Sequence, residues 1–311
     1  MNHTITIKSM AILLSVVLAL GAGVSGSAIA AVAQKTFSTP KEAADALIAA
    51  AEKWDVATLE AIFGPDGKDI IHSGEPARDR EIAKQFAEQA HTKMNVSIDP
   101  KTKQRAFISV GSDNWPFPVP IVKSATGWTF DSKAGRNEIL TRRVGRNELD
   151  AIELLRGFVE AQDQYAETKR GDTQVSQYAQ KIISTPGKQD GLAWQNPDGT
   201  WGGPIGENIA RAIERGYASG QPWHGYYFEV LKGQGPDAPL GQLDYVVNGA
   251  MIGGFALIAF PAEYRNTGVM TFMVSNDGVV YQKDLGPNTV EAAKKIDRFN
   301  PDATWTPVAG D

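Results

Sequence analysis

The sequence predicts an α+β protein, because helical and strand periodicities occupy separate stretches of the chain instead of alternating regularly. Apolar residues recur at helical spacing between residues 40 and 92, and a period of two follows from 107 to 130. The same order returns in the second half, where the longest helical pattern spans 135–168 and short strands follow from 226 to 283. Each half is therefore expected to place helices against an antiparallel sheet.

The first helices are marked by the residues that cap them. Thr39 precedes Pro40, which suits the first helical position, and Glu42 completes a capping box. Asp55 is placed to cap a second, short helix, and a third helix is predicted over residues 77–92.

Turn residues divide the strands that follow. Residues 111–114 and 124–127 have turn composition, and the second turn leads into a strand that begins at Trp128. Between them, residues 115–120 carry a proline at every second position. Because proline cannot donate a hydrogen bond to a neighbouring strand, this segment is predicted to lie at the edge of the sheet.

Gly145 interrupts the longest helical pattern. A glycine inside a helix lowers its stability, so we expect a break there and place a domain boundary at it. The prediction is an N-terminal α+β domain at residues 34–145 and a C-terminal α+β domain at 146–311.

The second half also contains a loop-rich stretch at residues 184–204 and a helix near 205–218. An Asn-Asp-Gly turn at 276–278 indicates a hairpin between the last two strands, and a short helix over 290–299 closes the fold. The predicted strands are 226–231, 244–247, 256–260, 269–274 and 279–283.

The first 33 residues have the pattern of a cleavable signal peptide. A polar start is followed by an apolar run over residues 10–24, which is shorter than the roughly 20 residues that span a bilayer. Two Ala-x-Ala sites place the cut near Ala30 or Ala33. We therefore expect a periplasmic or secreted protein with no transmembrane segment after cleavage.

Composition excludes several classes of function. There are 31 basic and 36 acidic residues, a balance that argues against binding nucleic acid by charge. The chain contains no cysteine, which excludes disulfides, thiolate metal sites and cysteine nucleophiles. The histidines at 72, 91 and 224 lack the spacing of a metal site, so no metal and no cofactor are predicted.

Four aromatic residues in one short segment form the first candidate site. Trp223, His224, Tyr226 and Tyr227 could line a ligand site, with flat rings supplying contact area and polar tips orienting the ligand. The simpler interpretation is a strand whose alternate rings fill the core while the imidazole lies at its end.

Four arginines on the long helical pattern form the second candidate. Arg136, Arg142, Arg143 and Arg146 could bind an anion. The simpler interpretation is a solvated helix face with an ion pair between Glu138 and Arg142 at i,i+4 spacing.

Six longer motifs are specific enough to suggest a family. They are WPFP at 115–118, GRNEL at 145–149, STPGKQDGL at 184–192, HGYY at 224–227, MIGGFAL at 251–257 and GVVYQKDLG at 278–286. With them the chain resembles a bacterial family of exported proteins catalogued as domain of unknown function 2950. That resemblance implies export and no particular activity.

Each half also has a weaker likeness. Residues 37–132 look like small secreted domains of the cystatin-like or NTF2-like type. Residues 147–286 resemble the globular heads of type IV pilins and pseudopilins, in which a long helix with a Gln-x-x-Tyr-Ala pattern, here Gln162 to Ala166, precedes a sheet. The helix here is not preceded by an apolar tail, so the resemblance does not imply filament assembly.

The sequence favours an exported protein without catalysis, which binds an unidentified envelope protein or polymer or helps to assemble an envelope structure. One alternative is a periplasmic hydrolase that acts on a cell-envelope polymer, with a carboxylate or His224 in its cleft. The other alternative is a small-molecule carrier that uses a cavity in the first domain.

Overall fold

The computed structural model describes residues 34–169, 175–214, 217 and 220–309. Within these residues helices and antiparallel sheets both occur, which confirms the α+β class. The predicted signal peptide and its two cleavage positions lie outside the described residues. In the part of the chain that is described, no helix has the length and apolarity to cross a membrane.

Capping residues begin the first helices as the sequence predicts. Thr39 Oγ1 accepts a hydrogen bond from the Glu42 amide at 3.1 Å, and Asp55 Oδ1 accepts one from the Thr58 amide at 3.1 Å. A single 3-10 turn, Pro65–Gly67, follows the second helix. The helices are α1 (Pro40–Lys53), α2 (Val56–Phe63), α3 (Lys68–Ile71) and α4 (Pro76–Thr92).

The first sheet is antiparallel and has the strand order β1-β2-β4-β5, with β3 paired to β2. Its first strand, Met94–Ile98, was not predicted from the sequence. Only Trp115–Pro116 of the proline-rich segment forms a strand, and it pairs with Ser109 and Val110 alone, as expected at an edge. The strands are β1 (Met94–Ile98), β2 (Arg105–Val110), β3 (Trp115–Pro116), β4 (Ile121–Ser124) and β5 (Gly127–Phe130).

Helix α5 (Ser132–Ala166) runs through both halves without a break. The 35 residues give it a length of about 52 Å at 1.5 Å per residue. The expected break at Gly145 is therefore wrong. Glycine costs a helix only about 1 kcal/mol, and α5 is buried on both sides of Gly145, at Gly135 and at Ala151. Packing outweighs the local preference.

The second half contains a five-stranded antiparallel sheet of order β17-β16-β15-β14-β9, together with a three-stranded sheet and two two-stranded ones. Two strands of the three-stranded sheet lie in the stretch predicted as loop-rich at 184–204, and the third lies just before it. Strands of two to five residues are too short to establish a period. The strands are β6 (Lys181–Ile183), β7 (Gly191–Gln195), β8 (Trp201–Gly202), β9 (Tyr226–Leu231), β10 (Gly233–Gln234), β11 (Leu243–Asp244), β12 (Val246–Val247), β13 (Ala250–Met251), β14 (Ala256–Pro261), β15 (Met270–Ser275), β16 (Val280–Asp284) and β17 (Thr306–Pro307).

Two short helices complete this half, α6 (Gly206–Glu214) and α7 (Thr289–Ala293). Helix α7 is shorter than the predicted 290–299, and the described part of α6 lies within the predicted 205–218. The hairpin between β15 and β16 has Gly278 at φ +77°, and its amide donates to the Ser275 carbonyl at 3.0 Å. This confirms the turn predicted from Asn-Asp-Gly.

Two hydrophobic cores form within one compact unit of the described residues. The first core lies between α1, α2, α4 and the first sheet, and the second lies between α5 and the five-stranded sheet. Whether they correspond to two domains divided at Gly145 stays a prediction. Large side chains that are fully buried include Ile62, Ile108, Ile121 and Phe130 in the first core and Leu155, Tyr226, Phe255, Phe260, Phe272 and Phe299 in the second.

Candidate functional site

A cavity of about 520 Å³ opens beside the first core. Its walls are mostly apolar and come from α1, α2, α4, the first sheet and the start of α5. Aromatic rings contact one another along it, with 5.1 Å between the ring centroids of Phe86 and Phe117. The apolar lining residues are Leu47, Ala51, Trp54, Leu59, Phe63, Ile70, Ile71, Ile82, Ala83, Phe86, Val110, Trp115, Phe117, Pro118 and Ile139.

Three of the four arginines predicted as an anion patch line this cavity, namely Arg142, Arg143 and Arg146. Spacings of three and four residues place Arg142, Arg143 and Arg146 on neighbouring positions of α5. Arg136 instead pairs with Asp69 and lines a second, polar cavity of about 540 Å³. The four arginines of the predicted anion patch are therefore divided between two cavities.

Arg142 and Arg143 are held in place by other groups of the protein. Arg142 donates to Glu138 at 2.7 Å and to the Pro116 carbonyl at 3.1 Å, and its guanidinium lies 4.7 Å from the Trp115 ring centroid. Arg143 donates to Asn266 at 2.8 Å and to the Asp69 carbonyl at 2.8 Å. The predicted pair between Glu138 and Arg142 is confirmed.

Arg146 differs from both of them. It is exposed, and it forms no hydrogen bond or ion pair with any residue that the structure describes. A guanidinium without a partner keeps five N–H donors for a ligand.

Asp79, on α4, is the buried carboxylate of the cavity wall. Its Oδ2 accepts a hydrogen bond from the Ser73 amide at 3.0 Å. Burial raises the pKa of Asp79, against the lowering effect of its hydrogen bonds with Ser73 and of the Arg143 charge. Asp113, the other carboxylate of the lining, is exposed on the turn before β3.

A second polar cluster consists of the buried Glu75 and Arg78 together with the partly buried Asp150 and His224. Asp150 Oδ2 is 2.6 Å from Nη2 of Arg78 and 2.8 Å from Nδ1 of His224. Burial acts to raise the pKa of Asp150, but the hydrogen bonds from His224 and Arg78 outweigh it and lower the pKa to about 2. The carboxylate is therefore ionised at neutral pH.

Glu75 is the least solvated member of the cluster, with 4% of its surface exposed. Burial raises its pKa to about 7, although the Arg78 charge and the backbone amides of Gly225 and His224 act to lower it. Its Oε2 and Nη1 of Arg78 have no hydrogen-bond partner among the described residues. Unpaired buried polar atoms are uncommon and often occur at functional sites.

The aromatic segment lies outside both of the cavities described above, and its role as a ligand wall stays a prediction. Tyr226 is fully buried, and its hydroxyl donates to the Met270 carbonyl at 2.9 Å. The rings of Trp223 and His224 stack with 5.5 Å between centroids, and Tyr227 contacts Phe260. None of these four residues lines either of the two cavities described above.

Glu75, Arg78, Asp79 and Asp150 were not among the site residues predicted from the sequence. A signal was present on α4, because residues 75, 78, 79, 82 and 86 have the spacing of one helix face. Charged residues at the start of a face that continues as Ile82 and Phe86 indicate a buried polar group. Nothing local indicated the contact with Asp150 and His224.

In the described ranges, no group of three or more His, Cys, Asp or Glu side chains is placed to hold a metal ion.

A family model described as "Protein of unknown function (DUF2950)" matches residues 34–308. No curated protein and no solved structure matches the chain. The likenesses to pilin heads and to cystatin-like or NTF2-like domains stay predictions.

Proposed function

Because the chain belongs to the DUF2950 family of proteins of unknown function, we propose its function from its own geometry: it is a non-enzymatic binding protein that carries a small, largely apolar molecule. The cavity beside the first core is the binding site. Export to the periplasm or the exterior is part of this proposal, and the carrier would work there on molecules of the cell envelope.

The observation that carries the proposal is the cavity itself. A volume of about 520 Å³ falls within the range of roughly 300–1,000 Å³ typical of small-molecule sites. Such sites are mainly apolar with a few polar groups that orient the ligand. The apolar wall and the arginines at one part of it have this composition.

A dye displacement experiment tests the carrier. The neutral dye N-phenyl-1-naphthylamine gains fluorescence in apolar sites, so wild-type protein should bind it and release it when dodecanol is added. Ala83→Phe places a ring in the cavity and should weaken dye binding by at least about tenfold, since cavities tolerate little added volume. Ala57→Phe, at an exposed position of α2 outside the cavity wall, is the matched control.

Circular dichroism spectra and melting curves of the two variants show whether they stay folded. Equal dye binding by wild type, Ala83→Phe and Ala57→Phe would contradict the carrier, as would no binding by the wild type.

A hydrolase of an envelope polymer is the second candidate, and the pair of Asp150 and His224 favours it. A carboxylate at 2.8 Å orients the imidazole through Nδ1, and Nε2 of His224 has no partner among the described residues. This is the arrangement of an oriented general base.

Release of soluble fragments from purified peptidoglycan tests the hydrolase. Turnover that is lost in His224→Gln and kept in His91→Gln, an exposed histidine on α4, would support it. No release by the wild type, or equal release by both variants, would eliminate it for this polymer.

A further inference from the structure

We propose that the ligand is an amphipathic anion, with its apolar body in the cavity and its carboxylate or phosphate group on Arg146. This inference rests on the proposed carrier function and adds the chemical class of the ligand.

The charges around the cavity come from both acidic and basic side chains. Five ionisable side chains line it: Arg142, Arg143, Arg146, Asp79 and Asp113. Three are cationic and two are anionic, and Glu138 outside the lining offsets the charge of Arg142, so the sign of the ligand depends on which cation is free of a partner.

The three arginines of the cavity differ in whether another group of the protein already binds them. Arg142 has Glu138 as its ion-pair partner. Arg143 is partly buried, donates to neighbouring oxygens and interacts electrostatically with the carboxylate of Asp79. Arg146 alone among the cavity's arginines forms no ion pair or hydrogen bond with a described residue.

The surroundings of Arg146 distinguish it from an ordinary surface arginine. An exposed arginine is usually a solvated surface charge, and position alone would not make it a binding residue. Arg146, however, contributes to the wall of an apolar cavity and lies next to the buried side chain of Asn147, which also lines it. A ligand whose apolar part fills the cavity would bring its polar end to this group.

The chemistry of the guanidinium determines which head groups it binds. The planar guanidinium binds carboxylates and phosphates through two parallel N–H donors, whereas alcohols offer no matching pair of acceptors. The two acidic head groups share this chemistry, so both belong in the test. A cationic amphiphile of the same length would meet like charge.

The experiment compares four ligands that share a twelve-carbon chain: dodecanoate, dodecyl phosphate, dodecanol and dodecylammonium. Their affinities for the full mature chain are measured by dye displacement below their micelle concentrations. We expect wild type to bind at least one anion about tenfold more tightly than dodecanol, with dodecylammonium the weakest. The preference for the anion should fall as salt is added.

Arg146→Gln should weaken binding of the preferred anion by about tenfold and leave dodecanol unchanged. Arg80→Gln is the matched control, because Arg80 is also exposed and lies on α4 outside the cavity wall. It removes the same charge from the protein and should change neither affinity.

The outcomes separate the inference from the carrier function. If dodecanol and both anions bind equally well to wild type and to Arg146→Gln, the anionic class is overturned and the carrier stands. If both arginine variants weaken anion binding equally, general charge and not Arg146 is responsible, which also overturns the inference. If none of the four ligands displaces the dye, the proposed ligand class is overturned. Dye binding to wild type and to Ala83→Phe then still decides whether the cavity is a binding site.

Discussion

Asp150 and His224 are 74 residues apart in the chain, yet Oδ2 of Asp150 lies 2.8 Å from Nδ1 of His224. The same oxygen is 2.6 Å from Nη2 of Arg78. One carboxylate on α5 therefore joins α4 to the turn that precedes β9. The three groups are largely withdrawn from solvent, so removing one of them would leave a poorly solvated charge without its partner.

Replacement of Asp150 by Asn should destabilise the protein at neutral pH by about 1–3 kcal/mol, because it leaves the Arg78 guanidinium without its counter-charge. The range is below that of a fully buried pair, since Asp150 keeps partial contact with water. Urea unfolding of Asp150→Asn measures it. Asp163→Asn, at an exposed position of the same helix, should change the unfolding free energy little.

The same pair predicts an acid-sensitive part of the stability. The pKa of Asp150 is about 2 in the folded protein, against 3.8 for an unperturbed aspartate. A lowered pKa gives stability that is fully present above about pH 4 and lost as pH falls toward about 2. Wild type should lose more unfolding free energy across this window than Asp150→Asn. Identical acid dependence of the two proteins would contradict the assignment.

Glu75 should act in the opposite direction. Its pKa is raised from 4.5 to about 7 in the folded protein, so between these values the folded state holds a proton that the unfolded state has released. Its contribution is therefore full below about pH 4.5 and is lost as pH rises to about 7. The loss of unfolding free energy is at most about 3–4 kcal/mol, at about 1.36 kcal/mol for each unit of pKa.

Glu75→Gln removes this titration and keeps an oxygen to accept from the amides of Gly225 and His224. At about pH 8 the variant should be more stable than wild type by about 1–3 kcal/mol. This difference in unfolding free energy should become smaller below about pH 5. Urea unfolding across that pH range gives the comparison. A wild-type stability that does not decline relative to the variant would show that Glu75 titrates normally.

Gly225 allows the turn before β9 to approach α5. It has φ +79°, and a Cβ there would lie 2.9 Å from Cβ of Thr267 and also collide with the Asn147 amide. That amide donates to the Thr267 carbonyl at 2.8 Å. Gly225→Ala should therefore displace a buried hydrogen bond in addition to straining the backbone.

Gly278 provides the comparison for Gly225, because it has φ +77° and no atom within 4 Å of the site of a Cβ. Gly278→Ala should cost about 1–2 kcal/mol from the backbone alone. Gly225→Ala should cost at least about 1 kcal/mol more, as measured by urea unfolding. Equal losses would mean that the contact with Asn147 and Thr267 contributes little.

Local chemistry made much of the fold predictable. Thr39 and Asp55 cap the helices that follow them, and the turn at Gly278 joins the strands expected on either side. These features depend on neighbours in sequence, which a single sequence displays. The strands of two to five residues in the second half are too short to establish a period.

The site was predictable only in part, because its members come from distant segments. The arginines of α5 were visible as a cluster, but their division between two cavities depends on Asp69, 67 residues before Arg136. The contact of Asp150 with His224 spans a still longer separation and follows from no spacing rule. Tertiary packing determines both.

Two glycines of α5 give the last prediction, which tests the continuity of this helix. Gly145 is exposed and has no atom within 4 Å of the site of a Cβ, whereas a Cβ at the buried Gly135 would lie 2.7 Å from Cα of Val119. In a continuous helix, Gly145→Ala should stabilise the protein by about 0.5–1 kcal/mol through helix propensity and lower unfolded-state entropy. Gly135→Ala should destabilise it by at least about 1 kcal/mol, because backbone must move to admit the methyl group. Thermal and urea unfolding of both variants measure the two signs. A loss of stability in Gly145→Ala would mean that the helix bends at this residue in solution, as the sequence alone suggested.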